Sequence, residues 1–321
     1  MKKNNTYEEV SELIRNSNDI VVAGHISPDG DAVASSLALA VSINKLGIKC
    51  RVLIDDYQSR YSFIKGTEYI YRDSYSDLNP DLFIAVDCGD IGRVGKALEV
   101  FERAEKKLVI DHHASNNYFG QYNIIEPEAS STSEMIYKLV RIFDNIDIDI
   151  ASALYAGIVF DTGGLRFQST SPETLKTIIS LYEYGIPFTD IYTEIMSRHS
   201  FNEAKIFSRA ISKMNMENGI VSSYVTQAEL QEFSVKSGAL EGIAEYMINT
   251  RGAAVSVFAY EKAERDIKIS FRSTGIDVSK IAVEFGGGGH IYAAGCSMEE
   301  DVLTALSKAV SRVERELKND E

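Results

Sequence analysis

The sequence predicts an α/β protein, with an N-terminal domain built on a parallel sheet and a smaller mixed α/β domain after it. Three observations support this fold. Short apolar runs alternate with segments of helical periodicity over the first half of the chain, as in βαβ units. Strand-like segments follow one another in the last third. A length of 321 residues suits two domains that each bury a core.

The N-terminal domain is predicted from alternating strands and helices. TYEEVSELIRNS has apolar residues at helical spacing, and Thr6 is a candidate N-cap. Ser171, Pro172 and Gly185 are the start and stop signals of a later helix. The predicted strands lie at 18–25, 49–55, 80–90 and 106–113. The predicted helices lie at 6–17, 31–47, 92–106, 130–144, 150–161 and 171–185.

The pattern changes after Pro187. Helical periodicity continues from there to about residue 213 without a strand, so we expect a linker in this region. Hairpin-like strands at 219–226 and 253–273, a glycine-rich loop at 286–290 and a final amphipathic helix at 301–317 predict the smaller domain. The predicted division is a first domain at 1–186, a helical linker at 187–212 and a second domain at 213–321.

Composition excludes several classes of protein. A net charge of −14 argues against a broad grip on long nucleic acid, which requires a basic surface. Three scattered cysteines predict reduced thiols, and the N-terminus lacks the apolar core of a signal peptide. No stretch approaches the ~20 apolar residues of a membrane span. We therefore expect a cytoplasmic protein without membrane contact, and a homodimer on general grounds.

Chemically active side chains stand where predicted strands end. They are His25, Asp29 and Asp31 after the first strand, Asp87 after the third, Asp111, His112 and His113 after the fourth, and Asp161 at the end of a helix. Ligands of open parallel sheets bind at the carboxyl ends of the strands, so we expect the three groups at strand ends to converge on one crevice.

So many acidic groups in one crevice repel one another unless a counter-charge is present. Two divalent cations provide it, and mixed oxygen and imidazole ligands favour Mn²⁺ over Mg²⁺, Fe²⁺ or Zn²⁺. Two metal ions ~3.5–4 Å apart are a common apparatus for phosphoester hydrolysis. The pattern predicts a dinuclear metal centre that includes Asp111 and His112, with His113 left for the substrate.

Each motif also has an ordinary structural explanation. Asp87 alone is typical of a helix cap or turn, PDGD of a turn, and DHH of a polar loop. Cys88 is typical of a small buried residue at a strand end. The joint occurrence of the motifs after apolar strands favours the metal site.

The motifs also carry a family resemblance. HISPDGDA, VDCGD, VIDHH and GIVFDTGGLRF resemble, in that order, the four motifs of the DHH phosphoesterases. KISFRS and GGGGHIYAAG resemble the DHH-associated domain of the branch that contains nanoRNases and phosphatases of 3′-phosphoadenosine 5′-phosphate (pAp). The resemblance spans nearly the whole chain.

The resemblance implies which residues bind two Mn²⁺ ions, which Mg²⁺ or Co²⁺ could replace. The two sets, bridged by Asp87, are His25, Asp29 and Asp87 for one ion and Asp31, Asp87, His112 and Asp161 for the other. Asp111 would orient a ligand histidine through a hydrogen bond. His113 would face the scissile phosphate, stabilising its charge or serving the leaving oxygen.

In the second domain, the resemblance implies that Arg272 and His290 bind a substrate phosphate, Arg272 as a bidentate clamp. The tetraglycine is not a P-loop, because no Lys-Ser or Lys-Thr follows it. Its members Gly287, Gly288 and Gly289 either form a flexible turn or let backbone N–H groups approach a phosphate or base. Arg166 is either a further substrate contact or a surface arginine.

The implied activity is hydrolysis of short oligoribonucleotides, including linear di-adenylate (pApA), to nucleoside 5′-monophosphates, together with dephosphorylation of pAp. We expect the substrate to lie in a cleft between the two domains, which would favour short anionic substrates. Two alternatives stay open. One is a pyrophosphatase or polyphosphatase, and the other is a nucleotide-binding sensor that no longer turns over.

Overall fold

The structure is a computed structural model and describes residues 4–55 and 57–320. The chain forms two compact units, the first ending at Arg198 and the second beginning at His199. The predicted limits at 186 and 213 lie on either side of this division and stay a prediction.

The first unit contains a five-stranded sheet. Its strands are β1 (Asp19–Ala23), β2 (Lys49–Leu53), β3 (Leu82–Val86), β4 (Lys106–Asp111) and β5 (Tyr122–Ile125). All neighbouring strands run parallel, in the order β2-β1-β3-β4-β5, which confirms the predicted parallel sheet. The sequence did not predict β5, because its four residues are too few for a recognisable apolar run.

Helices flank this sheet, and two of them begin at N-caps that the sequence predicts. They are α1 (Tyr7–Arg15), α2 (Gly30–Lys45), α3 (Leu98–Arg103), α4 (Thr132–Phe143), α5 (Ile148–Asp161), α6 (Pro172–Tyr182) and α7 (Phe188–Met196). The Thr6 hydroxyl accepts the Glu9 N–H at 3.2 Å, and the Ser171 hydroxyl accepts the Thr174 N–H at 3.1 Å. Both predicted N-caps are confirmed.

The predicted helix at 92–106 forms only in part. Its first half is a 3₁₀ segment, Ile91–Ala97, interrupted at Gly95, where φ is +61°. A Cβ at Gly95 would lie 2.1 Å from Cγ2 of Ile26, so only glycine allows this approach. The α-helix is therefore confined to α3. Three further 3₁₀ turns in the described part of the first unit lie at Ser59–Tyr61, Thr67–Tyr69 and Tyr75–Asp77.

Both faces of the parallel sheet are covered. Ile20 and Val22 of β1 belong to a core shared with α2, α4 and α5, whereas Val21 and Ala23 belong to a second core shared with α3. Successive residues of a strand point to opposite faces, so a strand covered on both sides has no polar alternation. This explains why the sequence has continuous apolar runs at these strands.

The second unit contains a six-stranded sheet. Its strands are β6 (Asn215–Glu217), β7 (Ile220–Val225), β8 (Val255–Ala263), β9 (Asp266–Ser273), β10 (Gly288–His290) and β11 (Ala293–Met298). The order is β10-β11-β9-β8-β7-β6. The β7–β8 pair is parallel and the other pairs are antiparallel, which confirms a mixed α/β unit.

Five helices complete the second unit. They are α8 (Phe201–Ser212), α9 (Gln227–Glu232), α10 (Ile243–Ile248), α11 (Val278–Glu284) and α12 (Val302–Asp320). The helical segment predicted as a linker is divided: Ile195 of α7 is buried in the first unit, whereas Ile206 of α8 is buried in the second.

No helix within residues 4–55 and 57–320 has the length and apolar character required to cross a membrane.

The glycine-rich segment differs from the loop that the sequence predicts. Gly288–His290 is the edge strand β10, paired with Ala293–Gly295 of β11. A Cβ at Gly287 would lie 2.1 Å from the Gly295 carbonyl oxygen, and one at Gly289 would lie 2.5 Å from the Ala294 Cα. Close approach of the β11 backbone therefore explains two of the glycines. At Gly288 a Cβ would meet nothing within 4 Å.

Candidate metal centre

The strands and helices of the first unit bring the predicted ligands together. Asp87 directly follows β3, His112 directly follows β4, and Asp161 is the last residue of α5. Asp29 is the N-cap of α2, and its Oδ1 accepts the N–H groups of Asp31 and Ala32 at 3.0 and 3.1 Å. The carboxyl edge of the parallel sheet is thus where the polar groups meet.

One cluster consists of His25, Asp29 and Asp87, with one ligand atom from each within 4.8 Å of the others. His25 Nε2 lies 3.7 Å from Asp29 Oδ2 and 3.6 Å from Asp87 Oδ2. Nδ1 of the same ring lies 2.8 Å from the Ile26 carbonyl oxygen and 2.8 Å from Arg93 Nη2. A hydrogen bond from Nδ1–H to this carbonyl would leave Nε2 available to a metal ion.

A second cluster consists of Asp31, His112 and Asp161, again within 4.8 Å. His112 Nε2 lies 3.1 Å from Asp161 Oδ2 and 3.6 Å from Asp87 Oδ1. Asp87, His112 and His113 form a third such group. All six predicted ligands are therefore in two clusters of oxygen and imidazole donors, a donor set that suits divalent transition metals.

Asp87 lies between the two clusters. Its Oδ2 is 3.6 Å from His25 Nε2, and its Oδ1 is 3.6 Å from His112 Nε2. The residue is 2% exposed, and its backbone φ is +58°, a left-handed conformation that residues with a Cβ adopt at a cost. Such strain is concentrated at functional sites, where the surrounding structure imposes it.

The clusters are electrostatically strained without a cation. Burial and the Asp87 charge raise the pKa of Asp31 to about 7. Burial with the charges of Asp29 and Asp161 raises the pKa of Asp87 to about 6. Burial opposes protonation of His112, yet the hydrogen bond and charge of Asp161 raise its pKa to about 10. Protons thus compensate part of the acidic charge, a role that divalent cations can take over.

Asp111 contacts a different histidine from the one expected. The resemblance implied that it orients a metal ligand, but its Oδ1 accepts from His113 Nδ1 at 2.7 Å. Its Oδ2 accepts from Asn116 Nδ2 at 2.6 Å, and the carboxylate is fully buried. Burial raises the pKa of Asp111, but the His113 and Asn116 hydrogen bonds outweigh this effect and hold the pKa below its ordinary value.

Arg272 and His290 lie in one row of the second sheet. Ala293 of β11 is directly opposite His290 on one side and Arg272 on the other. Residues in register across neighbouring strands project from the same face, so the two side chains share a face two strand spacings, roughly 10 Å, apart. His290 is exposed, and the Arg272 guanidinium lies 3.7 Å from Glu245 Oε2.

Arg166 is exposed on the segment that follows α5. Its N–H donates to the Thr162 carbonyl at 2.9 Å, and its guanidinium lies 5.8 Å from the centre of the Phe167 ring. Thr162 directly follows Asp161, so the segment begins at the second cluster. The role of Arg166 in substrate binding stays a prediction.

Similarity to known proteins identifies the family. Residues 19–158 match the DHH family, N-terminal domain, and residues 217–318 match the DHHA1 domain. Over 306 residues the chain is 30% identical to a bifunctional oligoribonuclease and PAP phosphatase NrnA of Thermus thermophilus, covering 93% of this chain and 90% of that protein. The chain belongs to the DHH family. It is therefore a phosphoesterase, a hydrolase of phosphoester bonds, as the resemblance predicted.

Two further relatives support membership of the DHH family. A bifunctional oligoribonuclease and PAP phosphatase NrnA of Bacillus subtilis is 26% identical over 297 residues, which cover 90% of this chain and 93% of that protein. A solved structure, an exopolyphosphatase-related protein from Bacteroides fragilis, matches with a TM-score of 0.87 at 25% identity, covering 98% of this chain and 95% of that protein. DHH phosphoesterases depend on metal ions, and the two clusters provide the donors for them.

The residues that support the clusters of this DHH-family chain carry no recognisable motif in the sequence. Thr132 and Ser133, in the first turn of α4, donate hydrogen bonds to Asp31 and Asp87. Gly157 of α5 faces the same turn: a Cβ there would lie 2.0 Å from Ser133 Oγ. The pattern Ser-x-x-Glu at 131–134 signals a helix start, but it does not signal contact with a site more than forty residues away.

Proposed function

We propose that the chain is a Mn²⁺-dependent phosphoesterase that cleaves short oligoribonucleotides, including pApA, to nucleoside 5′-monophosphates and removes the 3′-phosphate of pAp. The names of its relatives from Thermus thermophilus and Bacillus subtilis support this pair of activities. The net charge of −14 supports small anionic substrates, since long nucleic acid would be repelled wherever no metal ion compensates the charge.

The observation that carries the proposal is the position of Asp87 between two clusters of oxygen and nitrogen donors. We assign His25, Asp29 and Asp87 to one Mn²⁺ ion and Asp31, Asp87, His112 and Asp161 to the other. Two bound divalent cations would polarise the phosphoryl oxygens and lower the pKa of an attacking water. Mixed carboxylate and imidazole ligation favours Mn²⁺, with Mg²⁺ or Co²⁺ as substitutes.

We assign His113 to the reacting phosphate. Its Nδ1 is hydrogen-bonded to Asp111, so its Nε2 is the atom left to bind a phosphoryl oxygen or to protonate the leaving oxygen. Burial opposes protonation of His113, but the hydrogen bond and charge of Asp111 outweigh it and raise the pKa above its ordinary value. The raised pKa favours the protonated imidazole, the form that suits both roles.

We assign Arg272 and His290 to a second phosphate of the substrate. Their shared face and roughly 10 Å separation offer a guanidinium and an imidazole to one anionic end, and the guanidinium can bind it with two parallel hydrogen bonds. The open space at Gly288 supports approach of a ligand to the backbone of β10.

The test is a substrate panel under defined metal conditions. Chelator-treated protein should release nucleoside 5′-monophosphates from a labelled diribonucleotide and from pApA, and phosphate from pAp, only after Mn²⁺ is added. Hydrolysis that continues in chelator, or that prefers a long RNA, would contradict the proposal. Pyrophosphate and polyphosphate belong in the panel, because the structure from Bacteroides fragilis is titled exopolyphosphatase-related. A non-hydrolytic sensor would bind pAp without turnover.

A further inference from the structure

The first turn of α4 contacts two carboxylates of the metal centre. The Thr132 hydroxyl donates to Asp87 Oδ1 at 3.0 Å. The Thr132 N–H donates to Asp31 Oδ2 at 2.7 Å, and the Ser133 N–H donates to Asp31 Oδ1 at 3.0 Å. Thr132 and Ser133 are fully buried. One turn of helix therefore contacts Asp87, which belongs to the first cluster, and Asp31, which belongs to the second.

Buried hydrogen bonds fix this turn in place. The Glu134 carboxylate is 1% exposed, and its Oε2 accepts from the Ser130 N–H at 3.2 Å, the Ser130 hydroxyl at 2.6 Å and the Thr174 hydroxyl at 2.8 Å. Ser131 caps the helix by accepting the Glu134 N–H at 3.1 Å. A buried carboxylate that accepts several hydrogen bonds holds the donor groups rigidly. The turn is therefore anchored to α6 through Thr174 and to its own loop through Ser130.

Asp87 needs such an external restraint more than the other ligands do. Asp29 and Asp31 lie at the start of α2 and Asp161 at the end of α5, whereas Asp87 follows β3 in a left-handed backbone conformation. Rotation of its carboxylate would move Oδ1 away from His112 and Oδ2 away from His25 together. The Thr132 hydroxyl is a donor outside both clusters that opposes this rotation.

We propose that Thr132 is a positioning residue, whose hydroxyl fixes the Asp87 carboxylate while its N–H fixes Asp31, so that one helical turn sets the two metal-binding carboxylates relative to each other. This inference rests on the proposed function, because it presupposes that the clusters bind metal ions. It assigns no contact with substrate to Thr132.

The experiment compares Thr132→Val, which keeps the shape and loses the hydroxyl, with Thr132→Ser, which keeps the hydroxyl. Mn²⁺ affinity is measured on chelator-treated protein without substrate, from the electron paramagnetic resonance signal of free Mn²⁺. Thr177→Val, a buried threonine of α6, is the matched control. Thermal unfolding in chelator reports whether each variant folds.

We expect Thr132→Val to weaken Mn²⁺ binding roughly 10–100-fold, the usual effect of losing a partner of a metal ligand, and Thr132→Ser and Thr177→Val to bind as wild type does. Unchanged affinity in Thr132→Val would overturn the inference, as would equal losses in Thr132→Val and Thr132→Ser. If Thr132→Val does not fold, Thr132→Ala against Thr132→Ser decides in the same way. A wild-type chain that binds no Mn²⁺ would instead contradict the proposed function.

Discussion

His113 Nδ1 donates to Asp111 Oδ1 over 2.7 Å, and the other oxygen of this buried carboxylate accepts from Asn116. Within the motif Asp111-His112-His113, His112 Nε2 lies 3.1 Å from Asp161 Oδ2, whereas His113 is hydrogen-bonded to Asp111 and its Nδ1 lies 3.8 Å from Asp87 Oδ1. In the proposed function, Asp111 would act on the chemistry through His113, by fixing its ring orientation and its tautomer.

Asp111→Asn should lower kcat by about 10–100-fold with little change in Mn²⁺ affinity, because an amide does not stabilise the same imidazole tautomer. Steady-state kinetics with a diribonucleotide and a Mn²⁺ titration measure the two effects. Asp81→Asn is the control, since Asp81 is a half-buried carboxylate that accepts the N–H groups of Asn18 and Asp19. A wild-type kcat in Asp111→Asn would remove His113 from the proposed chemistry.

Gly157→Ala should destabilise the protein by about 1–3 kcal/mol, the typical cost of overpacking. The added Cβ would lie 2.0 Å from Ser133 Oγ and 2.6 Å from Asp31 Oδ1. An alanine in a helix is otherwise favoured over glycine by about 1 kcal/mol, so destabilisation reveals the close contact. The unfolding temperature and the Mn²⁺ affinity of Gly157→Ala should both decrease. Gly275→Ala is the control: its Cβ would meet open space, so neither quantity should change.

Arg272→Ala should lower kcat/KM for short oligoribonucleotides by about 10–100-fold, since hydrogen bonds between charged groups contribute roughly 1.5–3 kcal/mol. Arg272→Lys should recover only part of this loss, because an ammonium group cannot bind a phosphate with two parallel N–H bonds. Kinetics on the two variants and on Arg251→Ala, an exposed arginine of the same unit, provide the comparison. Full activity in Arg272→Ala would exclude the residue from substrate binding.

Glu229 should make the stability of the protein depend on pH in the acidic range. Partial burial opposes its ionisation, but hydrogen bonds from Lys213, the Thr226 N–H and Arg209 outweigh burial and lower the pKa below its ordinary value of 4.5. The carboxylate therefore stabilises the folded state above about pH 4.5, and this contribution is lost as the pH falls through the folded-state pKa. Glu229→Gln should unfold at a lower temperature than wild type at pH 7.

The unfolding temperatures of wild type and Glu229→Gln should converge as the pH is lowered below 4.5, because the Glu229 carboxylate of the wild type is then protonated and loses its charge. Thermal unfolding followed by circular dichroism at pH 7 and at a pH below 4.5 measures this convergence. A difference of equal size at both values would mean that the substitution acts through packing and not through the charge of Glu229.

Local pattern was enough to predict the parallel sheet and the convergence of its polar groups. The run VIDHH identifies a strand covered on both faces, and the carboxyl edge of a parallel sheet is a fixed meeting point. The N-caps Thr6 and Ser171 could also be predicted from local sequence, because an N-cap depends on the three residues that follow it.

Contacts over long sequence separations could not be predicted in the same way. The Thr132 hydroxyl meets a carboxylate 45 residues earlier, which requires the packing of α4 on the sheet. The row that contains His290 and Arg272 requires the register of three strands. The tetraglycine was predicted as a loop because glycine favours turns, whereas the need for glycine at Gly287 and Gly289 comes from the backbone of β11.

The central claim is that Asp87 serves two metal sites, and the metal content of Asp87→Asn tests it most directly. Asparagine tolerates the left-handed backbone at this position and removes the charge, so the fold should persist. After loading with Mn²⁺ and gel filtration, we predict about two ions per chain in wild type and fewer than one in Asp87→Asn, with hydrolysis lost. Two tightly bound ions in the Asp87→Asn variant would contradict the claim.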